Sequence, residues 1–303
     1  MAVTMMRHDF SPSLSNYAES SHSCSITELG RHDEPEVLEF LSARPLHTVF
    51  MTGLIRDNGL LSPRNRGSFY GSHNSFGQLE AVALMGHATL LEAHTENSLI
   101  GFAHMARYCR NAHLIRGEQK SINMFWNHYA ESKREPRLIC SEQLFEMTQP
   151  PSVFDDVSGL RLAEMSELEK VIAVNAAMAF AESGINPLQH DPYGFRHRAT
   201  RRIEQKRIWV WVKDTRLIFK ADVIGETPEV AYLEGVYVHP EERRKGHGWR
   251  CLTKLCSLLL AQKKSICLTA NDRNAIAASF YAKVGFKFRS NYETIYLRQE
   301  KQV

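Results

Sequence analysis

The chain has 303 residues, 43% hydrophobic and 23% charged, a balance that suits a globular protein and leaves room for two domains. Its 37 Lys and Arg against 34 Asp and Glu leave a net charge of +3, too small an excess to imply a nucleic-acid partner. No run approaches the roughly 20 apolar residues that cross a bilayer. The 6 cysteines form no C-x-x-C pair and no zinc spacing, so reduced thiols in a cytoplasmic, metal-free protein are expected.

Residues 1–29 are rich in Ser and lack the continuous apolar core of a signal peptide, so they read as a flexible leader. In "DEPEVLEFLSARPL" (33–46), acids and Pro35 precede Val37, Leu38 and Leu41 at helical spacing, which predicts a helix. Residues 79–86 and 88–93 read as strands separated by a turn at Gly86. A helix at 98–109, a strand at 113–117, a helix at 118–132 and a strand at 136–147 follow. This alternation suggests an α/β unit over 30–147. "TQPPSVFDDVSG" (148–159), with its prolines, acids and Gly159, is a linker by composition. The boundary is therefore placed at 148–158, with a second domain over 159–303.

The second domain opens with a short strand and a helix that Ser166 is suited to cap. A basic helix follows in "QHDPYGFRHRATRRIEQ" (189–205). Residues 207–212 and 216–224 flank "KDT" as a hairpin. Ile208, Val210 and Val212 share one of its faces, Trp209 and Trp211 the other. The remaining elements are a strand at 231–240, a helix at 249–262, a strand at 265–270, a helix at 274–285 and a strand at 291–297.

"HPEERRKGHGWRCL" (239–252) places cations and two glycines between a strand and a helix predicted to start near Trp249. Pyrophosphate needs several donors at once, and a helix N-terminus supplies backbone N–H groups and a favourable dipole. Gly246 and Gly248 permit close approach, while Arg243, Arg244 and Lys245 add charge. Neither a dinucleotide fingerprint nor a P-loop is present, since no G-x-G-x-x-G and no G-K-[ST] occurs. Gly235, inside the preceding strand, signals a bulge or a ligand's close approach. Asn274, at the end of "NDRN", is suited to cap the helix that carries Tyr281.

"RRKGHG" matches the R-x-x-G-x-G signature of the GCN5-related N-acetyltransferase (GNAT) superfamily, and "VYVHPEERRKGHGWRCL" with "NDRNAIAASFYAKVGF" resembles it in the same order over residues 159–297. In the first half, "FLSARPLHTVFMTGLIRDNGL" and "FYGSHNSFGQLEAVALMG" look like the DUF4081-type domain found ahead of such domains. That domain is regarded as a decayed copy of the same fold. Residues 90–135 contain no R-x-x-G-x-G, so the first half is not expected to bind acyl-CoA there.

The resemblance implies an α/β (α+β) architecture of tandem acyl-CoA N-acyltransferase-like domains, with a mixed central sheet of splayed strands flanked by helices. It implies acetyl-CoA as cosubstrate. The pantetheine arm would pair with the main chain of Val236 and Val238. The pyrophosphate would lie on Arg243, Arg244, Lys245, Gly246, His247, Gly248 and Trp249, with Asn274 bonding the pantetheine region. The N–H of Val236 would hold the oxyanion, and Tyr281 would serve as general acid for the departing sulfur.

Glu234 is the first candidate base, since period-two parity puts it on one face with Val236 and Val238. Glu182 is the second, on a helix that forms the acceptor wall. Lys220, inside the strand "RLIFKADVI", either orients an acceptor carboxylate or pairs with Asp222. His190, His197 and His239 have no ligand spacing for a metal. A site between the halves would bring in Arg56, Asp57 and Asn58. The expected function is direct transfer of an acyl group to a small-molecule or peptide amine, by a monomer or homodimer with no nucleic-acid or membrane partner. A non-catalytic acyl-CoA sensor or partner-binding protein, and an O- or longer-chain acyltransferase, stay open.

Overall fold

The computed structural model describes residues 25–151 and 157–298. Within the expected leader, Ser25–Glu28 forms a strand, β1. The single helix expected at 33–46 is two: α1 (Glu34–Ser42) and α2 (Pro45–Asn58). They break at Arg44 (φ −131°, ψ 63°), because the ring of Pro45 excludes the helical conformation from the residue before it. β2 (Gly67–His73), β3 (Leu79–Gly86), β4 (Ala88–Ala93), α3 (Glu96–Ala106), β5 (Leu114–Glu118), α4 (Gln119–Tyr129) and β6 (Pro136–Met147) complete the first half.

The second half contains β7 (Leu160–Leu162), α5 (Leu168–Ser183), α6 (Pro187–His190), α7 (Pro192–Glu204), β8 (Ile208–Lys213), β9 (Arg216–Glu226) and β10 (Val230–Val238). It ends with α8 (His247–Leu260), β11 (Ser265–Asn271), α9 (Ala275–Val284) and β12 (Lys287–Leu297). Ser166 does not cap α5. It lies in a 3-10 turn that leads into the helix, where Glu164 and Glu167 form the capping box instead.

All the strands join one 12-stranded sheet in the order β1-β2-β3-β4-β5-β12-β6-β11-β10-β9-β8-β7. Exchanging each strand with the one six places later reverses this order and reproduces it. The final strand of each half is inserted into the other half. β12 pairs with β5 from Tyr292–Glu118 to Tyr296–Leu114, and β6 pairs with β11 from Ile266–Met147 to Asn271–Glu142. The linker thus falls between β6 and β7, but neither half closes its sheet without a strand from the other.

Helices cover both faces. Leu99 and Phe102 of α3 and Phe125 of α4 pack with Ile115 and, from the far end of the chain, Ile295. Leu252 and Leu255 of α8 and Tyr281 of α9 pack with Phe219, Leu268 and Phe145 of the sheet. On the opposite face α2 reaches across to the second half, where Val49 meets Val230, Tyr232 and Cys267. Asp57 at its end forms a bidentate pair with Arg207, and Arg201 donates to Asn58 Oδ1 at 2.7 Å.

The exchange makes the halves one cooperative unit. Ile295, 1% exposed, sits in the first half's core although it belongs to the last strand. Ile295→Ala is expected to cost about 2–5 kcal/mol. Calorimetry should show one unfolding transition, displaced as a whole, rather than a separable low-temperature event.

Candidate active site

β10 and β11 run parallel but pair only from Val230–Ser265 to Leu233–Leu268. Beyond that point β10 continues beside β9 and β11 beside β6, so a wedge opens between them. The β9–β10 register moves from Glu234–Asp222 to Tyr237–Lys220, an extra residue on β10 that forms a bulge. Gly235 occupies it with φ +62°, a conformation strained for any residue with a Cβ, and its carbonyl accepts from Lys220 Nζ at 3.2 Å. His239 N–H donates back to Ile218 O at 2.9 Å, so by alternation the peptide groups of Val238 and Val236 point away from β9, into the wedge.

The bulge corrects the parity reading. Val236 and Val238 pack with Leu233 toward α8 and α9, whereas Glu234 stays on the other face with Tyr232. One inserted residue puts Glu234 and the two valines on opposite sides of the sheet.

Below the wedge, α8 begins at His247, two residues before the expected start. Gly246 is its N-cap with φ +83°, open on every side, and no side chain caps the first turn. The N–H groups there are a ready anion cradle. Gly248 lets α8 approach β10, since a Cβ would stand 2.9 Å from Val238. Trp249 packs half-buried on the same core. Arg243 Nε donates to Val238 O at 3.1 Å, and Arg244 is exposed with φ +63°. Glu242 gathers Lys245 at 3.1 Å and His247 at 3.2 Å.

Asn274 Oδ1 caps α9 by accepting from Ala277 N at 3.1 Å. One turn on, the Tyr281 ring lies 6.3 Å from Phe145 and 6.0 Å from Phe286, centroid to centroid. Burial among apolar groups pushes its phenol up to about 12, so it stays protonated.

On the sheet face opposite α8 and α9, Arg116 of β5 donates to Thr269 Oγ1 at 2.6 Å, Tyr232 OH at 2.8 Å and Glu142 Oε1 at 3.2 Å. Thr269 is the first residue of β11 past its pairing with β10. Glu182, in the last turn of α5, is exposed at its surface. Desolvation by the surrounding protein, with repulsion from Glu234 and Glu142, still pushes its carboxyl up to about 7, against the pull of Arg116. Arg137 pins this helix end by donating to Ser183 O at 2.7 Å.

Residues 175–286 match the model of the Acetyltransferase (GNAT) family. The chain carries a GNAT acetyltransferase domain. Acyl transfer is the chemistry of that family, and the chain is an enzyme of this N-acetyltransferase class. A GNAT-family acetyltransferase from Colwellia psychrerythraea superposes with a TM-score of 0.57 at 12% identity, over 90% of this chain and 100% of that one. A GCN5-related N-acetyltransferase from Sphaerobacter thermophilus gives 0.56 at 13% identity, over 89% and 94%. A tandem GNAT protein from the clavulanic acid biosynthesis pathway gives 0.55 at 13%, over 90% and 98%. At these identities the likeness shows a shared fold. No curated protein matches the chain.

Val236, Val238, Trp249 and Tyr281 pack on one core beside the wedge, Asn274 caps the helix that carries Tyr281, and Glu234 stands on the opposite face of β10. Lys220 is not among the groups that face the wedge. It is 0% exposed, and Nζ lies 2.7 Å from Asp222 Oδ1, closed to an acceptor carboxylate. Asp57 and Asn58 clamp the halves together, and Arg56 is exposed, so that trio does not line the site. Among the described residues no His, Cys, Asp and Glu group converges as a metal site requires, and no helix is long and apolar enough to cross a membrane. Sequence reasoning missed Arg116, Glu142 and Thr269. The available signal was charge on the buried face of a strand, as with Glu142 between Cys140 and Leu144.

Lys220→Ala would leave the Asp222 carboxylate buried without its close partner and is expected to cost about 3–5 kcal/mol. Gly235→Ala is strained at positive φ and would place Cβ 2.7 Å from Lys220 Nζ. A loss of about 1–3 kcal/mol is expected. Urea unfolding of both variants measures these directly.

Proposed function

We propose that the protein is an acetyl-CoA-dependent N-acetyltransferase that moves an acetyl group directly to a primary amine within a ternary complex. The observation that carries this reading is the wedge beside the bulge at Gly235, which opens onto an uncapped helix N-terminus at Gly246. Acetyl-CoA would supply an activated thioester there. Val236 and Val238 present free peptide groups for amide pairing, and Arg243 must release the Val238 carbonyl. The loop from Arg243 to Trp249 holds the pyrophosphate, and the Asn274 amide nitrogen, unused by the cap, reaches the pantetheine region.

In the transfer a C–N bond forms and the C–S bond breaks. Glu182 takes the proton of the incoming ammonium, because a carboxyl near 7 can do so at neutral pH, and Glu234 is the alternate. The Val236 N–H holds the oxyanion. Tyr281 keeps its proton until the thiolate leaves. The first half, by its likeness to the DUF4081-type domain, is read as a degenerate copy. Supporting this, Arg44 crosses the gap between β4 and β5 there, bonding Glu92 at 2.8 Å and Glu118 at 2.7 Å. Buried, unpaired thiols at Cys140, Cys251, Cys256 and Cys267 suit a reducing compartment such as the cytoplasm.

Titration with acetyl-CoA followed by thiol release against a pooled amine library tests the reading. Binding without turnover would favour a sensor, and no binding would sink the proposal. Gly246→Asp places a carboxylate in the anion cradle and should weaken acetyl-CoA by about tenfold or more in calorimetry, roughly 1.4 kcal/mol. Tyr281→Phe should lower kcat about 10²-fold while leaving that affinity nearly unchanged. The rate should rise with pH through about 7 as Glu182 loses its proton, and Glu182→Gln should abolish that limb.

A further inference from the structure

Lys220 has no part in the chemistry described so far, yet its ammonium is fully enclosed in the middle of β9. Asp222 Oδ1 lies 2.7 Å from Nζ, and Asp222 Oδ2 lies 3.4 Å from Asn175 Nδ2 and 3.6 Å from Arg202 Nη1. An adjacent carboxylate favours the charged form of the amine. An ion pair this deep is often no more stabilising than apolar packing, so stability alone is a poor account of it. The other contact of Nζ is the Gly235 carbonyl, to which it donates at 3.2 Å.

That carbonyl and the Val236 N–H are the two ends of one peptide group. A trans peptide is planar, so its C=O and N–H point in opposite directions. The carbonyl turns back toward β9 and Lys220, and the N–H therefore turns into the wedge. His239 N–H on Ile218 O, at 2.9 Å, fixes the same direction independently. The bulge makes the contact possible, because the register slip from Glu234–Asp222 to Tyr237–Lys220 frees the Gly235 carbonyl from the ladder. Glycine is needed there as well, since a Cβ would stand 2.7 Å from Nζ. A positive charge at the oxygen end of a peptide draws density from its nitrogen and makes the N–H a stronger donor.

We propose that Lys220 is a positioning residue for acyl transfer, its ammonium aiming and polarising the Gly235–Val236 peptide so that the Val236 N–H receives the oxyanion. The inference rests on the transferase reading and on Val236 as the donor. When the amine nitrogen adds to the thioester carbon, the C=O π pair moves onto oxygen and the Val236 N–H holds the new charge. The pair returns as the C–S bond breaks, and the sulfur leaves with its electrons to take the Tyr281 proton. A buried ammonium behind the donor favours the oxyanion over the neutral thioester, which is the difference that lowers a barrier.

The test needs no acceptor. The probe is acetyl-CoA carrying carbon-13 at the thioester carbonyl, and isotope-edited infrared spectroscopy of its complex with the full chain reads how strongly that carbonyl is polarised. Its stretching frequency should fall below that of free acetyl-CoA. Lys220→Met combined with Asp222→Leu removes both partners together, so no lone charge is left buried. In that variant the fall in frequency should shrink, while acetyl-CoA affinity in calorimetry changes little. An undiminished fall with intact binding overturns the proposal and leaves the transferase reading standing. Affinity and frequency shift lost together would mark a pair that only shapes the bulge, and overturn it too. A parent that binds acetyl-CoA with no fall in frequency removes Val236 as the donor and the proposal with it. A parent that does not bind acetyl-CoA sinks the transferase reading itself. If the apolar pair fails to fold, Lys220→Gln with Asp222→Asn, which keeps a neutral donor, decides by the same criteria.

Discussion

The exchange of β6 and β12 across the centre of the sheet is the constraint on which the rest depends. A wedge between two parallel strands leaves unpaired peptide groups on both its edges, and such edges are stable only when each strand is held from behind. β10 is held by β9, and β11 is held by β6, which has crossed from the other half. The same crossing brings Glu142 and Arg116 to Thr269, where the wedge begins to open. A tandem chain of separately closed sheets would have no such centre.

The second requirement is local. Peptide groups must turn into the wedge at the point where the strand would otherwise continue in register, and the bulge at Gly235 does this. It is stabilised from below, as the Lys220 ammonium bonds both the Gly235 carbonyl and Asp222, within reach of Arg202 at 3.6 Å. The bulge therefore rests on a buried charge pair that takes no part in binding. This explains how a lysine can interrupt an otherwise apolar strand without meeting a substrate.

The loop and helix start below the wedge were legible because they are contiguous. Arg243 to Trp249 is one short run, and a glycine pair after cations before an apolar helical stripe carries its own physical logic. Gly235 was legible as a bulge, but its consequence for Glu234 was not, since period-two parity assumes an unbroken register. The break between α1 and α2 was written in Arg44–Pro45 and was outweighed by the apolar periodicity around it. The polar cluster on the other face of the sheet was the least legible. Arg116, Glu142 and Thr269 are far apart in sequence, and only the strand exchange brings them together, which no local pattern announces.

The two titratable groups proposed for proton transfer are both raised by desolvation, but in different surroundings. Tyr281 sits among Phe145, Phe280 and Phe286, where nothing charged assists ionisation, so its phenol stays neutral until a strong base forms beside it. Desolvation raises Glu182 first, and the carboxylates of Glu234 and Glu142 add to the rise against the pull of Arg116. The folded state favours its neutral form, so this group contributes less to stability as pH rises from about 4.5 through about 7. A carboxyl placed only for stability would be better next to an unshared cation. The arrangement is intelligible if Glu182 must pass between both forms in each turnover, and the desolvation and repulsion that weaken the fold are what leave it able to accept a proton.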